Sequence, residues 1–168
     1  TDCKQNSLIM ALRMLAIAAA YNRIGYVFLL GDRLVDWRIS DRAARSTSKA
    51  VAWVQRYAVE LRPDVIVTED LKTAKKKGNK TIAIIEAVGN FAENEKLLNV
   101  VVPRRHDYDN KYDEADALAA LYPDLKPWVQ RRRWFYDNEP RNTVIFEALS
   151  LALTVLRDPT TRLAAAMG

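Results

Sequence analysis

The sequence predicts an α/β fold built on a five-stranded mixed sheet, with three antiparallel strands, then two parallel strands, and helices on the flanks. Three observations carry this prediction. Short apolar runs separated by tight polar turns occur early in the chain. Segments with helical spacing of apolar residues then alternate with further short apolar runs. Parallel strands need helical connections of this kind, whereas antiparallel strands need only a turn.

The first three strands are expected at residues 14–20, 25–30 and 33–39. The first is a short apolar run of the kind found in a central strand. The second is rich in aromatic and aliphatic residues, and Gly31-Asp32 then supplies turn geometry before the third. We therefore expect these strands to form an antiparallel meander.

The remaining elements alternate between helix and strand. Ser46 offers an N-cap oxygen to a helix that runs to about Arg62, where Pro63 stops it. The almost continuously apolar residues 64–69 predict a buried fourth strand. The sequence further predicts a helix at 79–94, a strand at 97–102, a helix at 113–121 and a last helix that starts at Pro140.

Composition limits the classes of protein to which the chain can belong. Its 168 residues, 49% hydrophobic and 28% charged, predict one globular domain, with residues 1–13 as an N-terminal extension and 122–168 as a C-terminal helical segment. The net charge of +5 favours polyanionic partners. A single cysteine, Cys3, and a single histidine, His106, argue against disulfides, histidine-rich zinc sites and a Ser-His-Asp triad. No apolar run is long enough to span a membrane. The lone cysteine fits a reducing, intracellular compartment.

Acidic residues form the most informative pattern. Glu69 ends the fourth strand, with Asp70 as an adjacent alternative, and Asp113 and Asp116 lie three apart on one helix face. Carboxylates at the end of a strand and on a late helix can hold Mg²⁺, and crowded carboxylates need cations. The alternative is that Asp113 is a helix N-cap and that Asp116 interacts with the helix dipole.

The order of elements and these acidic residues resemble the RuvC family of Holliday-junction resolvases, within the RNase H-like superfamily. The family's late helix begins with Asp-x-x-Asp-Ala-Leu-Ala, which Asp113, Asp116 and the following Ala117-Leu118-Ala119 match. Its fourth strand ends in a glutamate, which Glu69 matches. The resemblance implies an RNase H-like fold in which Glu69, Asp113 and Asp116 bind metal and are catalytic.

The first strand departs from the family pattern at Ala18. In the family that strand ends in an aspartate seven residues before a glycine, and counting back seven from Gly25 reaches Ala18. The family's following Pro-Gly is replaced by Ala19-Ala20. Either Ala18 is a deliberate substitution that inactivates a complete enzyme, or the chain is a natural non-cutting relative. On the first reading, Ala18→Asp should restore cleavage.

The resemblance implies a function for the whole chain. It would be a homodimeric, Mg²⁺-dependent crossover junction endodeoxyribonuclease acting on four-way DNA junctions by two-metal hydrolysis, with Mn²⁺ able to substitute. It would act inside the cell with DNA, in the cytoplasm or nucleoid if bacterial or phage-encoded. The alternatives are a catalytically silent DNA-binding module and a nuclease for another branched or hybrid nucleic acid.

Basic residues follow the predicted acidic site. Such a cationic loop can bind the phosphate backbone, or it can be an ordinary solvated face. The basic residues 131–133 are followed by three aromatic residues at 134–136. Their rings can stack on unpaired bases, or they can instead fill the core. The candidate DNA-binding residues are Lys72, Lys75, Lys76, Lys77, Lys80, Arg104, Arg105, Arg131, Arg132 and Arg133.

Overall fold

Five strands form one mixed sheet, as the sequence predicts. A computed structural model describes residues 12–129 and 141–158 of the chain. The sheet has the order β3-β2-β1-β4-β5, in which β1 to β3 pair antiparallel while β4 is parallel to both β1 and β5. The strands are Arg13–Ala20 (β1), Arg23–Leu30 (β2), Arg33–Ser40 (β3), Val65–Glu69 (β4) and Leu98–Val102 (β5).

The parallel pairing of β1, β4 and β5 places their last residues along one side of the sheet. β1 ends at Ala20, β4 at Glu69 and β5 at Val102. We call this side the carboxyl edge. In open α/β sheets, ligands bind beside the carboxyl ends of the strands, so the functional site is expected there.

The turns of the meander fix its register. Asn22 adopts a left-handed backbone conformation with φ of 57° between β1 and β2, and Gly31 does the same with φ of 61° between β2 and β3. The first turn sets Ala18 opposite Gly25. Ala18, which stands where the family pattern has an aspartate, is therefore the direct strand partner of Gly25.

Within residues 12–129 and 141–158, four α-helices flank the sheet. The first is capped by Ser46, whose hydroxyl accepts a hydrogen bond of 3.1 Å from the Lys49 amide, and it ends where Arg62 turns left-handed before Pro63. The last begins at Thr143, later than the predicted Pro140, which lies outside the described residues. The helices are Thr47–Leu61 (α1), Asn79–Asn94 (α2), Lys111–Leu121 (α3) and Thr143–Arg157 (α4), and none is long and apolar enough to cross a membrane.

Each face of the sheet buries its own apolar layer. Alternate residues of β1 point to opposite faces, so Leu15 and Ile17 face α1 and α2, whereas Ala16 and Ala18 face α4. Ten of the fifteen residues of α4 are buried, and this helix packs across β1 and β2. By contrast, α3 packs mainly against α4 and the short helical segment Pro123–Trp128. The helix that covers the end of β1 is therefore α4.

Candidate functional site

A pocket of about 420 Å³ opens at the carboxyl edge. Acidic and basic side chains share its wall, which is contributed by the end of β4, the loop after it, the segment after β5, and helices α3 and α4. The lining residues are Glu69, Thr73, Lys76, Lys77, Arg104, His106, Tyr108, Asp109, Asn110, Lys111, Glu114, Thr143 and Glu147.

Glu69 is the most deeply buried acid in this pocket. Its side chain is 2% exposed, and neither carboxylate oxygen has a hydrogen-bond partner within the described residues. Burial raises the pKa of the Glu69 carboxyl, Lys77 opposes that rise, and Glu147 adds to it. β1 pairs Ala16 with Val67, so two residues further along each strand Ala18 and Glu69 face the same side of the sheet.

Lys77 provides the positive charge at the centre of this edge. Its Nζ donates to the carbonyl oxygen of Ala19 at 2.7 Å and to Glu147 Oε2 at 3.0 Å. Its distance to Glu69 Oε1 is 3.5 Å, an ion-pair distance. The ammonium therefore joins the end of β1, the end of β4 and helix α4.

The loop that carries Lys77 is held by its own hydrogen bonds. The amide of Lys77 donates to Ala74 O at 2.9 Å, and the Ala74 side chain is buried. Thr73 Oγ1 donates to Asp70 O at 2.8 Å and accepts from the amide of Arg104 at 3.0 Å. The position of Lys77 is therefore set by backbone structure rather than by its long side chain alone.

The structure does not bring Asp113 and Asp116 to Glu69. Both side chains are exposed on α3, neither lines the pocket, and Asp113 accepts a hydrogen bond of 3.0 Å from the Asn110 side chain. Of the acids on α3, Glu114 is the buried one, and it lies on the side of the helix that also buries Ala115 and Leu118. The expected convergence of Glu69, Asp113 and Asp116 is therefore not found.

Sequence reasoning missed Glu147, which lies on α4 and reaches the pocket. A signal was available, because Glu147-Ala148-Leu149 repeats the acid-Ala-Leu pattern of Asp116-Ala117-Leu118. The fuller match on α3 made that helix the stronger candidate. It is α4, however, that crosses β1 beside Glu69. On α4 the acid-x-x-acid pattern would put its first acid at Val144.

Ala18, Gly25 and Val144 form an apolar contact at this point. Ala18 pairs with Gly25 in the sheet, and a Cβ added to Gly25 would lie 2.8 Å from Val144 Cγ1. Ala18 and Val144 are both buried in the same apolar layer. Ala18, where the sequence resemblance would put an acid, and Val144 are thus both apolar and belong to one buried layer.

Comparisons with solved structures identify the fold. A Thermus thermophilus RuvC structure superimposes with a TM-score of 0.52 and 14% sequence identity, covering 88% of this chain and 97% of that one. T. thermophilus RuvC in complex with Holliday junction substrate gives a TM-score of 0.55 and 16% identity, covering 94% of this chain and 96% of that one. The chain has a RuvC-like fold. No family model and no curated protein matches its sequence.

The basic candidates of this RuvC-like chain fall into two groups. Arg104 is an internal residue, because its guanidinium donates to Glu114 Oε2 at 3.0 Å and to Ser150 Oγ at 2.8 Å with a side-chain exposure of 9%. Lys77 is likewise engaged at the carboxyl edge. Arg131, Arg132 and Arg133 lie outside the described residues. The exposed candidates are Lys72, Lys75, Lys76, Lys80 and Arg105.

Asp70, the alternative to Glu69, has a different role. Its carboxylate accepts a hydrogen bond of 3.0 Å from the amide of Lys72 and shapes the turn that follows β4. It does not line the pocket that contains Lys77 and Glu147. Glu69 is the strand-end acid that faces this pocket.

The donor set does not fit a two-metal centre. Among the residues described, no group of three or more His, Cys, Asp or Glu side chains is placed to hold a metal ion. Two metal ions about 4 Å apart need several carboxylates to bridge and flank them. Here Glu69 and Glu147 share one ammonium, and the apolar Ala18 and Val144 supply no oxygen ligand. The arrangement suits an edge that is held together by ion pairs and whose exposed lysines can bind anions. It does not suit metal-assisted hydrolysis.

Proposed function

We propose that this chain binds four-way DNA junctions as a RuvC-like homodimer and does not cut them by a two-metal mechanism. The observation that carries this proposal is the carboxyl edge itself. Ala18 and Val144 are packed against Gly25 where the family pattern calls for acids, and Lys77 lies between the remaining Glu69 and Glu147.

DNA binding is supported by charge and by the structural neighbours. The chain carries a net charge of +5, and four exposed lysines lie in or beside the loop that follows β4. One of the T. thermophilus structures with the same fold contains a Holliday junction substrate. A four-way junction has twofold symmetry, so a homodimer presents two equivalent surfaces to it, and by resemblance α2 would contribute to that dimer. The exposed lysines at the carboxyl edge would contact phosphates.

Val144 argues against Ala18 as an isolated, deliberate substitution. Changing one aspartate to alanine would leave the other family acids in place. In this chain Val144, which the acid-x-x-acid spacing from Glu147 would make a second acid position, is also apolar and belongs to the same buried layer as Ala18. The pair therefore favours a natural non-cutting relative, and no metal-dependent step is proposed for it.

A Mg²⁺- or Mn²⁺-dependent crossover junction endodeoxyribonuclease is the second candidate. Its support is Glu69, whose two buried oxygens have no hydrogen-bond partner within residues 12–129 and 141–158. A buried carboxylate in that state can accept a cation. Such a cation would have to displace the Lys77 ammonium, which also pairs with Glu147.

A binding and cleavage panel separates the candidates. The chain is incubated with labelled four-way junctions, flaps, RNA–DNA hybrids and plain duplex, with Mg²⁺, with Mn²⁺ and with a chelator. We expect a retained four-way junction complex in each condition and no cleavage products. Binding that does not distinguish the junction from duplex would contradict the junction proposal, and metal-dependent products would support the nuclease.

Ala18→Asp provides a second arm of the same panel. The new carboxylate would be buried in the apolar layer beside Val144, so we expect it to lower stability and to yield no cleavage. If a folded, junction-binding Ala18→Asp variant cleaves DNA, the alanine at position 18 is the one substitution that inactivates a nuclease.

A further inference from the structure

Lys77 lies where the ends of strands β1 and β4 meet helix α4. Its Nζ contacts the end of β1 through the Ala19 carbonyl oxygen at 2.7 Å, α4 through Glu147 at 3.0 Å, and the end of β4 through Glu69 at 3.5 Å. These are oxygens of the kind that a hard divalent cation would take as ligands. The lysine side chain is 20% exposed, so the contact is largely removed from water.

The chemistry of this cluster matches an ammonium ion. An ammonium has three N–H donors and no acceptor, and three oxygen atoms surround it here. The two shorter distances are those of hydrogen bonds, whereas Mg²⁺ would require oxygens at about 2.1 Å and near-octahedral geometry. Ala18 and Val144 supply no further oxygen ligands. The buried Glu69 carboxylate and the partly buried Glu147 carboxylate need a nearby positive charge, and Lys77 lies within ion-pair distance of both.

We infer that the Lys77 ammonium is a tethered cation that occupies the place a divalent metal ion would take at this edge. It holds β1, β4 and α4 together in a metal-independent way, and its removal exposes two carboxylates and a carbonyl oxygen that can accept a divalent cation. The inference goes beyond the proposed function, because it concerns what holds the centre together whether or not the chain binds DNA.

Lys77→Met tests the inference without DNA. Methionine keeps the length and apolar stem of lysine but removes the charge, so Glu69 and Glu147 lose their shared partner. Loss of one side of a buried ion pair should lower the melting temperature by about 5 °C or more. Lys76→Met is the matched control, because Lys76 is the exposed neighbour on the same loop, and it should melt close to the parent.

Mn²⁺ and Mg²⁺ provide the second measurement. Each protein is melted with chelator, with either ion, and with sodium chloride at matched ionic strength, and bound Mn²⁺ is counted by electron paramagnetic resonance. The parent and Lys76→Met should bind no Mn²⁺ and melt independently of it. Lys77→Met should bind Mn²⁺ and recover at least part of the lost melting temperature. Adding Glu69→Gln to Lys77→Met should remove both effects and restore stability in chelator.

Two outcomes would overturn the inference. One is a parent protein that already binds Mn²⁺ in a manner abolished by Glu69→Gln. The other is a Lys77→Met variant that melts like Lys76→Met in chelator. If Lys77→Met fails to fold, Lys77→Met/Glu69→Gln decides the matter, because restored folding supports the charge role of Lys77 and a fold still lost contradicts it.

Discussion

At the scale of single residues, Glu69 is a carboxyl group in surroundings that disfavour its charged form. Its side chain is almost fully buried, its oxygens lack hydrogen bonds within the described chain, and its nearest cation is 3.5 Å away. Burial outweighs the lysine, so the pKa of the Glu69 carboxyl lies above its ordinary value. The charged form of Glu69 is therefore tolerated by the fold rather than stabilising it.

Glu69→Gln should stabilise the protein at neutral pH. A carboxyl whose pKa is raised by folding contributes stability that is fully present below its unfolded-state pKa and is lost as pH rises through the folded-state value. Above that window glutamine removes the penalty, and we expect a gain of about 1 to 3 kcal/mol in the free energy of unfolding. Near pH 4 the gain should vanish. Urea unfolding at both pH values measures the difference, and an equal gain at both would contradict this account.

At the scale of elements, α4 determines the character of the site. It crosses β1 and β2, and Val144 packs so closely on Gly25 that a methyl group there would approach Val144 Cγ1 to 2.8 Å and the Arg38 carbonyl oxygen to 3.2 Å. The absence of a side chain at Gly25 is what lets this helix lie directly over the end of the meander. Ala18, the strand partner of Gly25, belongs to the same buried apolar layer as Val144.

Gly25→Ala should therefore lower the free energy of unfolding by about 1 to 3 kcal/mol through overpacking. Val144→Ala removes the nearest clash, so the double variant should lose less than the sum of the two single losses, with a coupling above about 0.5 kcal/mol. Urea unfolding of the four proteins gives the coupling. Gly78→Ala is the control, because an added Cβ there meets nothing within 4 Å, and its effect should stay below about 1 kcal/mol. If the losses in the free energy of unfolding caused by Gly25→Ala and Val144→Ala are additive, the close contact between Gly25 and Val144 is refuted.

The elements also show which parts of the structure the sequence can predict. The strands were predictable because apolar runs and turn residues are local signals, as at Gly31 and at the strand ending in Glu69. The sequence could not decide which helix brings an acid to Glu69, because two segments carry an acid-Ala-Leu pattern and only packing distinguishes them. α4 is apolar on most of its surface, as a helix laid across a sheet must be, whereas α3 exposes Asp113 and Asp116.

Lys77 could not be assigned from sequence for a different reason. It belongs to a run of lysines that looks uniform along the chain, and its neighbours Lys75 and Lys76 are exposed. The turn that buries Ala74 directs Lys77 alone toward Ala19 and Glu147, residues 58 and 70 positions away. Likewise Arg104 pairs with Glu114 only because β5 ends beside α3. The ion-pair partners of Lys77 and Arg104 are determined by long-range contacts, which a local sequence pattern does not predict.

At the scale of the whole molecule, exposed basic residues lie at both ends of the sheet. The exposed Lys72 and Lys75 lie at the carboxyl edge, whereas Arg33 begins β3 and Lys126 lies in the segment Pro123–Trp128 near the opposite edge. Both pairs are exposed and carry the same charge. If the carboxyl edge is the DNA-binding surface, only the first pair should contribute to phosphate contacts.

Lys72→Ala/Lys75→Ala should weaken four-way junction binding and make it less sensitive to salt. Each phosphate contact releases counterions, so removing two should reduce the slope of log K against log salt concentration by about 2. Arg33→Ala/Lys126→Ala removes equal charge from the other end and should leave the slope nearly unchanged. Fluorescence anisotropy with a labelled junction across a salt series measures both. Equal losses in the two variants would mean that net charge, rather than the carboxyl edge, attracts DNA. A normal slope in both would place the binding surface elsewhere on the molecule.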